Sequence, residues 1–250
     1  MLIATVLLVA GAALGTCVRA AVFHYAVAVD DPRLRDCPSC SRPLLPQGRV
    51  ALRPLAPHGR CPGCRTRIGP LPALPETLTA LAFIGAALAA RSPWSLVAGC
   101  WLALFGITLA LIDIEVHRLP DPLNLTAGTG LLLLMAAATI TKGDAGPLLR
   151  ALIAAAVLGA FYLAMTVFGS MGLGDGKLSL VLGLALGWLG WQHVLTGTCA
   201  AFLLGGIYGV VLLLTRRATR KDPLPFGPFM ISGAALVILL SACRFSDFVS

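Results

Sequence analysis

Apolar runs recur along most of this 250-residue chain and leave a soluble fold too little polar surface to show to water. Hydrophobic residues make up 58% of the sequence and charged residues 12%, against the roughly 25% charged of an ordinary soluble domain. Mean hydropathy is +0.88. A chain of this length cannot bury that much apolar sequence in a single water-facing core, so the bilayer is its solvent. Glycine, proline and charge punctuate the runs at 2–23, 74–90, 94–112, 122–140, 148–168, 178–191, 195–215 and 228–243, which predicts an all-α integral membrane protein of about eight transmembrane helices. The 178–191 run carries the weakest signal. The first run has no basic start, its first cation being Arg19, so it reads as a retained helix rather than a cleaved leader.

Charge placement sets the expected topology. The net charge of +8 is concentrated between apolar runs, which speaks for membrane orientation and against a nucleic-acid partner. Arg33, Arg35, Arg42, Arg49, Arg53, Arg60, Arg65 and Arg67 all lie in 24–73 and place that segment in the cytoplasm by the positive-inside rule. Threading the spans from there puts 113–121, 169–177 and 216–227 on the same side, and the last of these carries Arg216, Arg217, Arg220 and Lys221, as an inside loop should. Membrane lipid is the expected surround, and Trp94, Trp188 and Trp191 fall at outer span ends. The chain divides into a first helix (1–23), a cytoplasmic insert (24–73) and a membrane domain (74–250).

The insert carries two CxxC pairs, Cys37-Pro-Ser-Cys40 and Cys61-Pro-Gly-Cys64. In a cytoplasmic segment disulfides are disfavoured, and two such knuckles supply four thiolates to a tetrahedral structural zinc. The insert is poor in apolar residues, so a metal would supply folding energy that a core cannot. A redox CxxC is the competing reading.

Carboxylates at membrane depth are costly and functional by default. Asp113 closes an apolar span, and Asp175 sits between two spans in Met171-Gly172-Leu173-Gly174-Asp175-Gly176-Lys177; the topology puts both on the cytoplasmic side. Two carboxylates sharing a proton can split roles, one activating water and the other polarising a scissile carbonyl. Gly172 and Gly174 permit tight turns and close approach of a peptide backbone. Glu115 would tune Asp113 by like charge or be a solvated loop acid, and His117 would carry protons or be an interfacial histidine. Lys177 would favour an ionised Asp175 or anchor the cytoplasmic side, and Pro120 would break a helix at the membrane edge. Asn124 and Thr126 would hydrogen-bond nearby backbone.

These motifs, in this order, resemble the type IV prepilin peptidases, GxGD-type aspartyl membrane proteases. The resemblance rests on the paired CxxC insert, Pro75-Glu76, the D-x-x-x-x-x-L-P-D pattern from Asp113 to Asp121, Gly172-Leu173-Gly174-Asp175 with Lys177, and Pro225-Phe226-Gly227-Pro228-Phe229. It implies that Asp113 and Asp175 are the catalytic pair, and that Asp121 belongs to the Leu-Pro-Asp turn. It further implies cleavage of prepilins or pseudopilins after a basic leader at the cytoplasmic face of the bacterial inner membrane, in type IV pilus or type II secretion assembly. Many such enzymes then N-methylate the new terminus using S-adenosylmethionine. Where the family pattern has Asn-x-Pro, this chain reads Gly48-Arg49-Val50-Ala51-Leu52-Arg53-Pro54, and Arg19 stands near the place of the first helix's Asn, so methyl transfer stays open. A GxGD intramembrane protease with other substrates, and a transporter or scaffold with a metal-stapled insert, are the alternative readings.

Overall fold

The computed structural model of the protein describes residues 2–28, 31–45, 55–168, 171–217 and 224–246; the 48–54 stretch, with Arg49 and Arg53, and Arg220 and Lys221 lie outside them. The described residues form eight helices: α1 (Leu2–Tyr25), α2 (Leu74–Ala89), α3 (Pro93–Val116), α4 (Asp121–Lys142), α5 (Gly146–Phe168), α6 (Leu173–Leu189), α7 (Trp191–Leu214) and α8 (Gly227–Ser246). Among them the only extended pairing is two isolated bridges in the insert. α1, α3, α4, α5 and α7 are long and apolar enough to cross a membrane. Long apolar side chains such as Leu133, Ile140, Phe168, Leu195 and Leu214 face outward, as a helix bundle solvated by lipid requires.

Local chemistry sets the helix ends. Ser92 caps α3 in a reciprocal capping box with Ser95, with a proline in the first turn. The same helix stops where His117 turns left-handed at φ 51°, just before Leu119-Pro120. Gly143 closes α4 at φ 70°. Several boundaries differ from the sequence expectation, α7 for one starting at Trp191 rather than 195, and two of them bear on the aspartates. α3 runs on to Val116 and α6 begins already at Leu173. Asp113 therefore lies within the last turn of α3 instead of closing it, and Asp175 lies in the first turn of α6 instead of a connecting loop. Glycine is a poor interior helix former, which makes Gly172–Gly176 read as a turn. Gly174 nevertheless lies within the helix, where it lets Leu119 pack closely: a Cβ there would meet Leu119 Cβ at 3.0 Å.

Packing is carried by small residues, as expected where lipid offers no hydrophobic drive between helices. Gly11 and Gly15 of α1 sit on Ala80 and Glu76 of α2; a Cβ on Gly11 would come within 2.7 Å of Ala80 Cα. Gly183 and Gly187 of α6 sit likewise on Ala155 and Ala151 of α5, with Cβ approaches of 2.6 and 2.9 Å to the Cα atoms. Successive helices run antiparallel, so the odd-numbered helices down to α7 end where the even-numbered ones begin. At that end the Arg118 guanidinium donates to the carbonyl of Ala28 at 3.1 Å. At the opposite end Arg91 donates to the carbonyl of Ser241 and Arg150 to those of Gly187 and Trp188.

Candidate active site and metal centre

Asp113 and Asp175 are brought to the same end of the bundle and are 5% and 8% exposed. They are close enough to sense one another's charge, and Tyr162, 1% exposed, is within the same electrostatic reach of Asp175. One oxygen of Asp113 is fixed from outside its own helix. The backbone N–H of Gly227, which opens α8, donates to Asp113 Oδ2 at 3.0 Å. The first amides of a helix have no partner within it, and their positive end suits a carboxylate. A Cβ on residue 227 would lie 2.8 Å from Oδ2, so any larger residue there would push the Asp113 carboxyl aside. Phe226 and Phe229, on either side, pack with Phe202, Tyr162 and Tyr208 and so hold the start of α8. An apolar cavity of about 220 Å³ between the helices is lined by Leu109 and Leu178, about one turn from Asp113 and Asp175 along α3 and α6.

Other residues singled out in the sequence fall elsewhere. Glu115 is exposed, two positions from Asp113 and so on the opposite side of α3. His117 is exposed, forms the left-handed cap of α3 and stays within electrostatic reach of Asp113. Lys177 pairs with Asp121 at 2.6 Å, both side chains being largely open to solvent. This tie joins the start of α4 to the start of α6, so the Lys177 cation is spent on Asp121. Pro120 precedes α4 in extended conformation and accepts from the N–H groups of Leu123 and Asn124. Gly172 is the extended N-cap of α6. Thr126 bonds the carbonyl of Pro122 as expected, whereas the carboxamide of Asn124 bonds nothing.

The four cysteines converge. Each pair sits in a small hairpin of matching design: the Cys37 N–H donates to the Arg42 carbonyl and the Cys61 N–H to that of Thr66, each at 2.9 Å. Ser41 and Arg65, each four residues past the first cysteine of its pair, both take left-handed φ. The four Sγ atoms lie within 4.8 Å of one another, with Cys37–Cys64 at 3.6 Å and Cys40–Cys61 at 3.7 Å. These are not disulfides, whose sulfurs sit about 2.05 Å apart. They match the edge of a tetrahedron, about 3.8 Å, with a metal about 2.3 Å from each sulfur at its centre. The cluster is therefore able to hold a metal ion, and four sulfurs close the coordination shell. The thiols share their protons unevenly. Hydrogen bonding to Thr66, its hydroxyl first, holds Cys64 down at about 6. Cys40 is pushed up to about 12 by its sulfur neighbours, although the Arg42 backbone favours its thiolate. Four thiolates at this spacing need a counter-charge, which a divalent ion supplies.

The sequence did not single out the pairing that docks the insert. Arg19 of α1 is fully buried and grips both carboxylate oxygens of Glu76 of α2, at 2.9 and 2.8 Å. It also donates to the carbonyls of Pro70 and Leu71 at 2.8 and 3.0 Å. Ala20 and Phe23 of α1 form a further small core with Cys37, Leu44, Leu45, Cys61 and Ile68 of the insert. A buried charge always needs a partner, so an arginine at the end of an apolar run, with an acid opening the next, was the available signal.

A model of the type IV leader peptidase family matches residues 100–210, a stretch that holds both aspartates. Prepilin leader peptidase/N-methyltransferases are similar over most of the chain. The Aeromonas salmonicida protein is 33% identical over 207 residues, covering 81% of this chain and 70% of its own. The Burkholderia pseudomallei protein is 33% identical over 214 residues, covering 81% and 65%. The Bacillus subtilis protein is 30% identical over 206 residues, covering 81% and 80%. No solved structure matches. Identity at this level, across more than two thirds of a relative's length, means that the chain belongs to the type IV leader peptidase family.

Proposed function

We propose that this protein is a membrane aspartyl endopeptidase that removes the basic leader from type IV prepilins or pseudopilins. The observation that carries the reading is the convergence of Asp113 and Asp175, two buried carboxyls from different helices, at one end of an apolar bundle. In the proposed reaction one carboxylate takes a proton from a water as that water's oxygen attacks the scissile carbonyl carbon. The other, protonated, carboxyl donates to the carbonyl oxygen. The tetrahedral intermediate then collapses, the C–N bond breaks, and a proton passes to the departing amine. The Gly227 N–H keeps Asp113 oriented for this exchange.

The site's place at the end of the helices suits a substrate cut where a polar leader meets an apolar helix. The positive-inside distribution of arginines supports an active site facing the cytoplasm, in the inner membrane, with lipid around the bundle and no nucleic acid involved. In this reading 1–23 is the first membrane helix, 74–250 is the membrane peptidase domain, and 24–73 is an insert stapled by a structural zinc on Cys37, Cys40, Cys61 and Cys64. Methylation of the new N-terminus, with S-adenosylmethionine as donor, is the second half of the proposal, supported by the double activity in the relatives' names.

The test is a cleavage assay in membranes with a type IV prepilin carrying its leader, using wild type, Asp113→Asn and Asp175→Asn. Wild type should cut at the leader boundary, and each variant should lose about 10²–10⁴-fold or more in rate. Mass spectrometry of the new terminus reads methylation in the same experiment. A variant that cuts normally would refute the catalytic assignment.

A further inference from the structure

α4 buries one stripe of its surface, made by Asn124, Ala127, Leu131, Met135 and Ala138 at three- and four-residue spacing. Asn124 is the one polar member. It is 5% exposed, and neither the nitrogen nor the oxygen of its carboxamide has a hydrogen-bond partner. Buried amides are almost always bonded, because leaving them dry is costly. A leucine would complete the stripe without that penalty.

The direction of the side chain follows from the neighbours of α4. Asp121 pairs with Lys177, and a Cβ on Gly128 would touch Val181 at 3.5 Å, so these two positions face α6. The Ala127 carbonyl accepts from the Trp101 indole, so that side faces α3. At about 100° per residue, position 124 falls between the two faces and points into the wedge between α3 and α6. Its depth can be placed as well. Asp113 lies three residues inside the end of α3, Asn124 three residues inside the start of the antiparallel α4, and Asp175 two residues inside α6. The Gly128–Val181 contact ties α4 to α6: Asn124 is four residues short of Gly128 and Asp175 six residues short of Val181, so at about 1.5 Å per residue Asn124 lies about 3 Å deeper in the bundle than Asp175.

We propose that Asn124 is a substrate-binding residue of the peptidase site, whose carboxamide takes up the backbone of the extended peptide beside the scissile bond. This rests on the peptidase reading above. A peptide drawn to that depth leaves water with its N–H and C=O groups unsatisfied, and a carboxamide offers both a donor and an acceptor. The pairing satisfies both partners only when substrate is present, which accounts for a polar group left without a bond in its absence.

The experiment compares Asn124→Leu and Asn124→Ala with wild type, measuring thermal stability in detergent and kcat and KM on an intact prepilin. Asn124→Leu should melt at or above the wild-type temperature while kcat/KM falls at least about tenfold, largely through KM. Should Leu be too bulky to fold, Asn124→Ala must show the same fall in kcat/KM without a matching loss of folded protein. Wild-type kinetics in either folded variant would overturn the proposal, as would activity lost only in proportion to stability. A wild type that cuts no prepilin would instead sink the peptidase reading itself and this proposal with it.

Discussion

Gly227 and Asp113, 114 positions apart in the chain, meet through a single 3.0 Å hydrogen bond from backbone to carboxylate. The bond ties the opening turn of the last helix to the last turn of the third. It turns the Pro225–Phe229 segment from a surface motif into the support of a carboxyl group. Gly227→Ala adds a methyl where Oδ2 is 2.8 Å away, so Asp113 must move. A displacement of about 1 Å at a reacting group costs on the order of 10²-fold in rate. The expected result is a fall of that size in kcat for prepilin cleavage, with KM changed little and the protein still folded. Unchanged kcat would show that the contact does not position the carboxyl.

The Arg19–Glu76 pair should govern stability. Removing one member of a buried pair strands the other charge, at about 3–5 kcal/mol. Arg19→Met and Glu76→Leu, made singly, should each lower the melting temperature sharply in detergent. The double variant should recover much of the loss, since an apolar pair of similar volume has no charge to strand. Additive losses in the double variant would contradict this account.

Lys177 and Asp121 make the contrasting case. Their side chains are 48% and 70% exposed, and such pairs contribute about 0–1 kcal/mol. Lys177→Gln should leave stability within that margin and cleavage within a few-fold of wild type, whereas Asp175→Asn, two residues away, should lower cleavage by about 10²-fold or more. A loss in Lys177→Gln comparable to that of Asp175→Asn would give Lys177 a part in the chemistry that its geometry does not suggest.

For the cysteine cluster, elemental analysis of purified protein should find one metal ion per chain, zinc on the present reading. Cys37→Ser with Cys64→Ser should abolish it. Chelation should then make 31–73 sensitive to protease while the bundle keeps its helical signal, because the insert's own core is small. Full metal content in the double variant would exclude the four-sulfur site.

Much of the architecture was legible from hydropathy alone, because a bilayer demands long apolar runs and their ends are marked by proline, glycine and charge. The cysteine cluster was legible because ligand spacing within each knuckle is local. The weak points were local rules overruled by distant partners. Gly172–Gly176 looks like a loop until Leu119 is seen lying against Gly174. Lys177 looks like a partner for Asp175 until Asp121 arrives from another helix. Glu115 looks close to Asp113 in sequence, but helical geometry turns it away. The role of Gly227 and the burial of Arg19 depend on contacts 114 and 57 positions away. The unbonded carboxamide of Asn124 could not be foreseen at all, since no residue pattern reports that a partner is missing.

The grip of Arg19 on Pro70 and Leu71 has a consequence for descent. A related chain that shed the cysteine insert would lose the two carbonyls that complete the guanidinium's bonds. It would also lose Gly59, whose bare backbone makes room for Nη1, where a Cβ would stand only 2.8 Å away. Arginine at position 19 should therefore be inherited together with the insert and disappear with it. Insert-free members of the lineage should carry a smaller or uncharged residue at that place in their first helix.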